Sequence, residues 1–379
     1  MNYDVISADG HVDLIWLPPD LFTANASAAL KERMPYVIDG PKGPEWTSVK
    51  GAKFGLVNGM GSAGREYVPG VIHRSDRMAS TGLYDDGRKG IRRLTDVKLR
   101  LEDQERDGVQ AEVLYGILGA SGRLNDPEAA TEVLRIYNDW LHDFCRAAPD
   151  RLIGLANIPN HDMDVAVAEA RRCAVRGVRG FDVANKPDMT PLWDPFWEPL
   201  WQLAHETGIP VHFHTIGGRS PDTSKMPVFV QRRAFAAHIT NFQMHMGYML
   251  MSLIFSGAPE RYPNLKIVIG EAGLGWIPYV LQHMDLEWED QFKDLDLKMK
   301  PSEYWHRQFY ATYQTDPVGV RLFDLLGIDN VMWGSDFPHP DGIWPDSQEF
   351  LDRELAGVSA DIRRKVTRDN AAKLYKLAA

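Results

Sequence analysis

Trp333-Gly334-Ser335-Asp336-Phe337-Pro338-His339 decides how this chain is read, together with its counterpart Ser7-Ala8-Asp9-Gly10-His11-Val12-Asp13 near the other end. Each sets an acid or a histidine directly after a short apolar run, Asp4 to Ala8 in one case and Asn330 to Trp333 in the other. In a parallel α/β protein that position is the carboxyl end of a strand, where metal and catalytic groups collect. One segment opens the chain and the other nearly ends it, as a barrel requires if its first and last strands are to meet.

The sequence between them has the matching rhythm. Apolar runs at 5–8, 111–115, 152–157, 178–183, 211–214, 265–270, 309–313 and 331–334 make eight candidate strands, with helix-patterned segments between most of them. That alternation predicts a distorted (β/α)8 TIM barrel. One helix is especially clear. Asp126 is its N-cap, Pro127 suits its first turn, and Val133, Tyr137, Trp140, Leu141 and Phe144 recur at helical spacing before Pro149 stops it. These aromatics are expected in the core. Two stretches break the rhythm, residues 14–95 after the first strand and 216–263 after the fifth. The first is rich in turns and is expected to form a cap over the active-site end, with a small hairpin. The second runs from a polar loop into an apolar helical insertion, whose Met244, Met246, Met249 and Met251 read as core or subunit contact. No composition shift divides the chain, so residues 1–379 read as one domain with two insertions.

Composition narrows the function. The 379 residues are 44% hydrophobic and 25% charged, ordinary for a globular protein, and the net charge of −10 argues against nucleic acid or an anionic membrane as partner. The densest basic run, Gly87 to Arg93, holds only four cations. Two cysteines, Cys145 and Cys173, cannot supply a disulfide framework, and Met1-Asn2-Tyr3-Asp4 has no features of a signal peptide. A cytoplasmic protein is expected, acting on a small molecule and assembling as a homo-oligomer. The glycines around Gly59 to Gly64 lack the strand-then-helix setting of a phosphate loop.

The residues that could carry chemistry sit at predicted strand ends. Asp9 and His11 stand at i and i+2, a spacing that points both side chains the same way. His212 and His214 repeat the spacing, with His214 nearer the strand end and His212 deeper and structural. Asp336 ends the eighth run and Glu271 follows the sixth. Two carboxylates with two imidazoles suit a divalent metal, zinc foremost with manganese or iron as alternatives. His339 and His245 are candidates for contact with substrate or for proton transfer, and Arg77 and Arg219 for anchoring a carboxylate.

These motifs resemble the metal-dependent amidohydrolase superfamily, in the branch of aminocarboxymuconate-semialdehyde decarboxylase and the hydroxybenzoate decarboxylases. The likeness runs through Ala8-Asp9-Gly10-His11, Tyr137-Asn138-Asp139-Trp140 and Pro149-Asp150-Arg151-Leu152. It continues through Phe255-Ser256-Gly257, Arg261 to Lys266, Gly270-Glu271-Ala272-Gly273 and Trp276-Ile277-Pro278, and ends in Gly334 to His339. It implies one catalytic metal held by Asp9, His11, His214 and Asp336. Relatives carry an acid/base histidine where Glu271 stands, and the bridging lysine of other branches has no counterpart near Asp182. The expected activity is a metal-dependent hydrolase or nonoxidative decarboxylase of a small carboxylated aromatic or cyclic compound, using Asp336, Glu271, His339 and His245. An iron-dependent oxidising enzyme, or a non-catalytic metal-binding subunit paired with a paralogue, would show the same residues.

Overall fold

Short, continuously apolar strands form a parallel sheet only if helices cover them, and this chain supplies both. The computed structural model describes residues 3–59, 68–70, 73–186, 188–215 and 222–378. Eight parallel strand positions appear where the apolar runs stand. They are β1 (Ile6–His11), β2 (Ala111–Tyr115), β3 in two halves (Leu152–Gly154 and Ala156–Ile158), β4 (Phe181–Val183), β5 (Val211–His214), β6 (Ile267–Gly270), β7 (Phe309–Tyr313) and β8 (Val331–Trp333). β1, β2 and the first half of β3 pair in that order, and the second half of β3 leads a run of neighbours through to β8. The two runs touch where Leu155 N–H donates to Leu114 O at 3.1 Å. At their other edges His11 N–H donates to Phe337 O and Asp336 N–H to Asp9 O, each at 2.8 Å.

Inward-facing positions build the interior. Ile6, Ala8, Val113, Ile153, Val268 and Met332 share one buried cluster, which Ala371, Ala372 and Tyr375 of the C-terminal helical segment complete at the amino ends of the strands. In β1 the register against β2 slips between Ser7 and Gly10, a β-bulge. Such a bulge re-aims side chains. Ala8 stays in the core while Asp9 and His11 turn toward the carboxyl end. Gly334 is required beside it, because a Cβ there would stand 2.4 Å from Asp9 Cβ.

Outside the strands, the helix Pro127–Arg146 starts on the Asp126 carboxylate, which accepts from Ala129 N–H. Val133, Tyr137, Leu141 and Phe144 are buried as the periodicity requires, whereas Trp140 is half-buried and stacks on Phe144 at 5.0 Å. In the stretch after β1 the expected hairpin is a three-stranded antiparallel sheet, Tyr36–Gly40, Gly43–Thr47 and Lys53–Leu56. The stretch after β5 holds the helices Val228–Asn241 and Met246–Phe255. Its methionines divide: Met246 and Met249 are core, while Met244 is 57% exposed. Residues 60–64 of the glycine-rich segment lie outside the described residues.

One buried ion pair holds β1 from outside. Arg100 and Glu112 are both almost completely buried, and the guanidinium donates from Nε and Nη2 to the two carboxylate oxygens at 2.5 and 2.8 Å. Its Nη1 reaches His11 O at 3.0 Å, so the pair fixes the backbone of a candidate ligand. Removing one member of a buried pair strands the other charge, at a cost of about 3–5 kcal/mol. Glu112→Ala is therefore expected to lower the unfolding free energy by roughly that amount in urea titration. A loss under about 1 kcal/mol would contradict the structural role given to the pair.

Candidate metal centre

Strand ends deliver donors to one buried region in two groups that share His11, namely Asp9, His11 and His214, and His11, Asp336 and His339. Asp9 Oδ1 stands 3.3 Å from His11 Nε2 and 3.4 Å from His214 Nε2, and Asp336 Oδ1 stands 3.0 Å from His11 Nε2. His339 adds Nδ1 at 3.0 Å from the same Asp336 oxygen and stacks its ring on His11 at 3.9 Å. Glu271 borders the group, with Oε2 3.8 Å from His214 Nε2.

Local backbone explains the aim of the two later carboxylates. Glu271 and Asp336 have φ of +50° and +56°, the left-handed region that non-glycine residues adopt at a cost. Both turn the chain sharply at the end of a strand. The Glu271 conformation is held by its N–H, which donates to Thr312 Oγ1 at 2.7 Å and to Asp9 Oδ2 at 3.0 Å. Thr312 Oγ1 also donates to Asp9 Oδ2 at 2.8 Å, so one oxygen of Asp9 is committed to β6 and β7 while the other faces the histidines.

Several of these short approaches are not hydrogen bonds. His11 Nε2 and both oxygens of Asp336 are buried without a hydrogen-bond partner, although 3.0 Å separates two of them. Ligand atoms about 2.1 Å from one ion, at octahedral or tetrahedral angles, stand roughly 3.0–3.4 Å apart. The donor spacings match that, and the unsatisfied buried atoms are the ones such an ion would satisfy. The residues fit a divalent metal.

Charge tells the same story. Burial alone would raise the Asp9 and Asp336 carboxyls, but the cationic imidazoles hold Asp9 far below the usual range and Asp336 down to about 2. Burial would lower His214, yet the Asp9 charge raises it to about 9. Glu271 behaves oppositely: burial, then the Asp336 charge, pushes its carboxyl well above the usual range. A floor this rich in acids draws positive charge, whether carried by protons or by an ion.

The floor opens into a cavity of about 400 Å³. Its walls are apolar, with Leu14, Ile15 and Phe54 from the stretch after β1 and Phe235, Ile239 and Phe242 from the helix after β5. Asp9, His11, His214, Asp336, Glu271 and His339 thus come together. His212 lies deeper and is buried, bonded through Nδ1 to Tyr115 Oη at 2.9 Å, and burial lowers it to about 3. His245 does not join them. It meets Asn241 and faces His238, and His238 lines the cavity in its place. Nor does Arg77 reach the site, being paired with Asp346 and Glu349. Arg219 lies outside the described residues. Sequence reasoning missed Asp182, a cavity-lining carboxyl that burial raises to about 7, and Arg123 in the turn after β2. The available signal for Asp182 was a carboxyl inside the apolar run of β4.

Comparison with known proteins shows the family and the fold. The amidohydrolase family description matches residues 72–377. Gamma-resorcylate decarboxylase of Rhodococcus jostii is 27% identical over 323 residues, covering 82% of this chain and 96% of that protein. An amidohydrolase of Mycobacterium avium subsp. paratuberculosis superposes with a TM-score of 0.74 at 20% identity, covering 99% of this chain and 98% of that one. A dihydroxybenzoic acid decarboxylase of Polaromonas, solved with manganese and the inhibitor 2-nitroresorcinol, superposes with a TM-score of 0.62 at 22% identity, covering 80% and 93%.

Elemental analysis of the purified protein is expected to find one transition metal per chain. His214→Ala and Asp336→Ala should lose it while circular dichroism stays unchanged. A variant that kept full metal occupancy would remove that residue from the donor set.

Proposed function

Because this chain belongs to the amidohydrolase family, we propose that it is a metal-dependent carboxy-lyase removing CO2, without redox chemistry, from a small hydroxyaromatic acid. The observation that carries this reading is the set of unsatisfied buried donors, His11 Nε2 and both oxygens of Asp336, next to an apolar-walled cavity that His11 lines. Likeness to decarboxylases over most of the chain favours carboxyl loss over hydrolysis. The scaffold we assign is one closed (β/α)8 barrel domain spanning residues 1–379, with 14–95 and 216–263 inserted after β1 and β5. Leu14, Ile15 and Phe54 on the cavity wall support the role of the first insertion as a cap.

Asp9, His11, His214 and Asp336 would hold the ion, with His339 beside them. The ligand types alone put zinc first, while the manganese in the Polaromonas decarboxylase favours manganese. When bound, such an ion would offset the charge of a substrate carboxylate and its neighbouring hydroxyl. The protein's own groups do the rest. The apolar walls grip the ring and keep water from it. Breaking the bond between ring and carboxyl leaves an electron pair on the ring carbon, which must receive a proton. Glu271 is the group we assign to deliver it, standing in for the histidine of relatives, and water afterwards restores its proton. His339 steadies Asp336 through Nδ1.

The exposed apolar side chains Val228, Phe229 and Tyr248 support assembly as a homo-oligomer. Among the described residues no helix is long and apolar enough to cross a membrane. Two free cysteines support a cytoplasmic location.

Incubating the metal-loaded protein with a panel of ortho-hydroxybenzoates should release CO2 from at least one member, read as bicarbonate together with the decarboxylated phenol. Silence across the panel at full metal occupancy would overturn the reading. Glu271→Gln is expected to lower kcat by about 10²–10⁴-fold with the metal retained.

A further inference from the structure

A second cavity, of about 280 Å³, opens away from the donor cluster. The helices Pro127–Arg146 and Met163–Val175 both line it, beside Leu152 and Ile153 at the start of β3 and Val178 and Arg179 just before β4. It thus lies toward the amino ends of strands whose carboxyl ends face the metal centre, and the two cavities share no lining residue. Its walls are largely apolar, and both cysteines of the chain stand in them. Burial pushes the Cys145 and Cys173 thiols up to about 12, so they are neutral wall and not metal ligands.

Charge selects the occupant. Among the described residues lining the cavity are Arg146, Arg176 and Arg179, and no aspartate or glutamate. Arg146 is paired with Asp143, and Arg176 with Asp139 and Asp143. The Arg179 guanidinium has neither an ion pair nor a hydrogen bond among the described residues, and its Nη1 is buried without a partner. Its charge is felt at the Cys145 thiol, on the cavity wall. An arginine cannot shed its charge, so a buried N–H with no acceptor is a standing cost that an anionic ligand removes. The planar guanidinium fits a carboxylate in particular.

We propose that this cavity binds a small monocarboxylate with an apolar body. The carboxylate accepts from Arg179, and the body lies along Leu141, Ile153 and Val178. The site is separate from the metal centre, and the inference does not depend on the reaction performed there.

The two cysteines are the only ones in the chain, so thiol modification reports on this cavity alone. The metal-loaded protein is treated with methyl methanethiosulfonate, a small neutral reagent, and the rate at Cys145 is followed by mass spectrometry. Hexanoate should slow the reaction saturably, at concentrations about 10- to 100-fold below those that 1-hexanol needs, the gain of a charged hydrogen bond. Acetate, with the charge but not the apolar body, should leave the rate unchanged over the hexanoate range. Arg179→Gln should reduce hexanoate to the level of hexanol while hexanol protection stays within about twofold. Arg179→Lys, which keeps the charge but not the fork, should fall between them and separates loss of the anion contact from a folding defect. Hexanoate that does no better than hexanol, or a Gln variant that keeps the advantage, overturns the proposal. So does protection that rises with protein concentration alone, since a second copy of the chain would then fill the cavity. None of these outcomes touches the carboxy-lyase reading.

Discussion

The Asp9 carboxylate is the constraint on which the rest of the centre depends. Its Oδ2 is pinned by Glu271 N–H and Thr312 Oγ–H, while its Oδ1 faces His11 and His214. A single side chain on β1 therefore sets the positions of groups on β5, β6 and β7. The β-bulge aims it, Gly334 leaves the space for it, and the Arg100–Glu112 pair holds the backbone two residues on. Buried carboxylates are costly to keep charged, and this one is stable only because every lone pair has an answer.

The same bookkeeping separates the roles of the acids. Asp9 and Asp336 face imidazoles that favour their ionised forms, the state the proposed ligand role needs. Glu271 has a lone His214 contact at 3.8 Å and otherwise like charge and apolar surroundings, which favour the proton. Two carboxyls a few ångströms apart are thereby driven to different protonation states, the condition under which one can ligate and the other donate. In the proposed reaction the proton comes from this glutamate, which follows directly on β6.

Much of this was legible in the sequence because the signals were local. Short apolar runs mark all eight parallel strands, and an acid or histidine right after such a run marks a strand end without any knowledge of the fold. Asp9, Glu271 and Asp336 were found that way, His11 and His214 from i, i+2 pairs, and His339 from its place three residues after Asp336. What was not legible depends on phase or on tertiary contact. The helix Val228–Asn241 has no buried residue, so nothing in its pattern says that His238 turns to the cavity, while His245, in the turn after it, does not. Arg123 sits in a turn with no periodicity at all. Asp182 was seen as the absence of a lysine, and so its own carboxyl was overlooked. The antiparallel sheet after β1 was underestimated because its turns are the only parts with a strong sequence signal.

The bond between Ser7 and Ser335 joins positions 328 residues apart in the chain. Ribosomes add about 5–20 residues per second, so roughly 16 to 66 s pass between synthesis of the first and last strand ends. Throughout that interval Asp9 and His11 exist without Asp336. On the proposed ligand set, the group of Asp9, His11 and His214 is made well before the group of His11, Asp336 and His339, so the centre gains its last carboxylate only when the last strand has been synthesised.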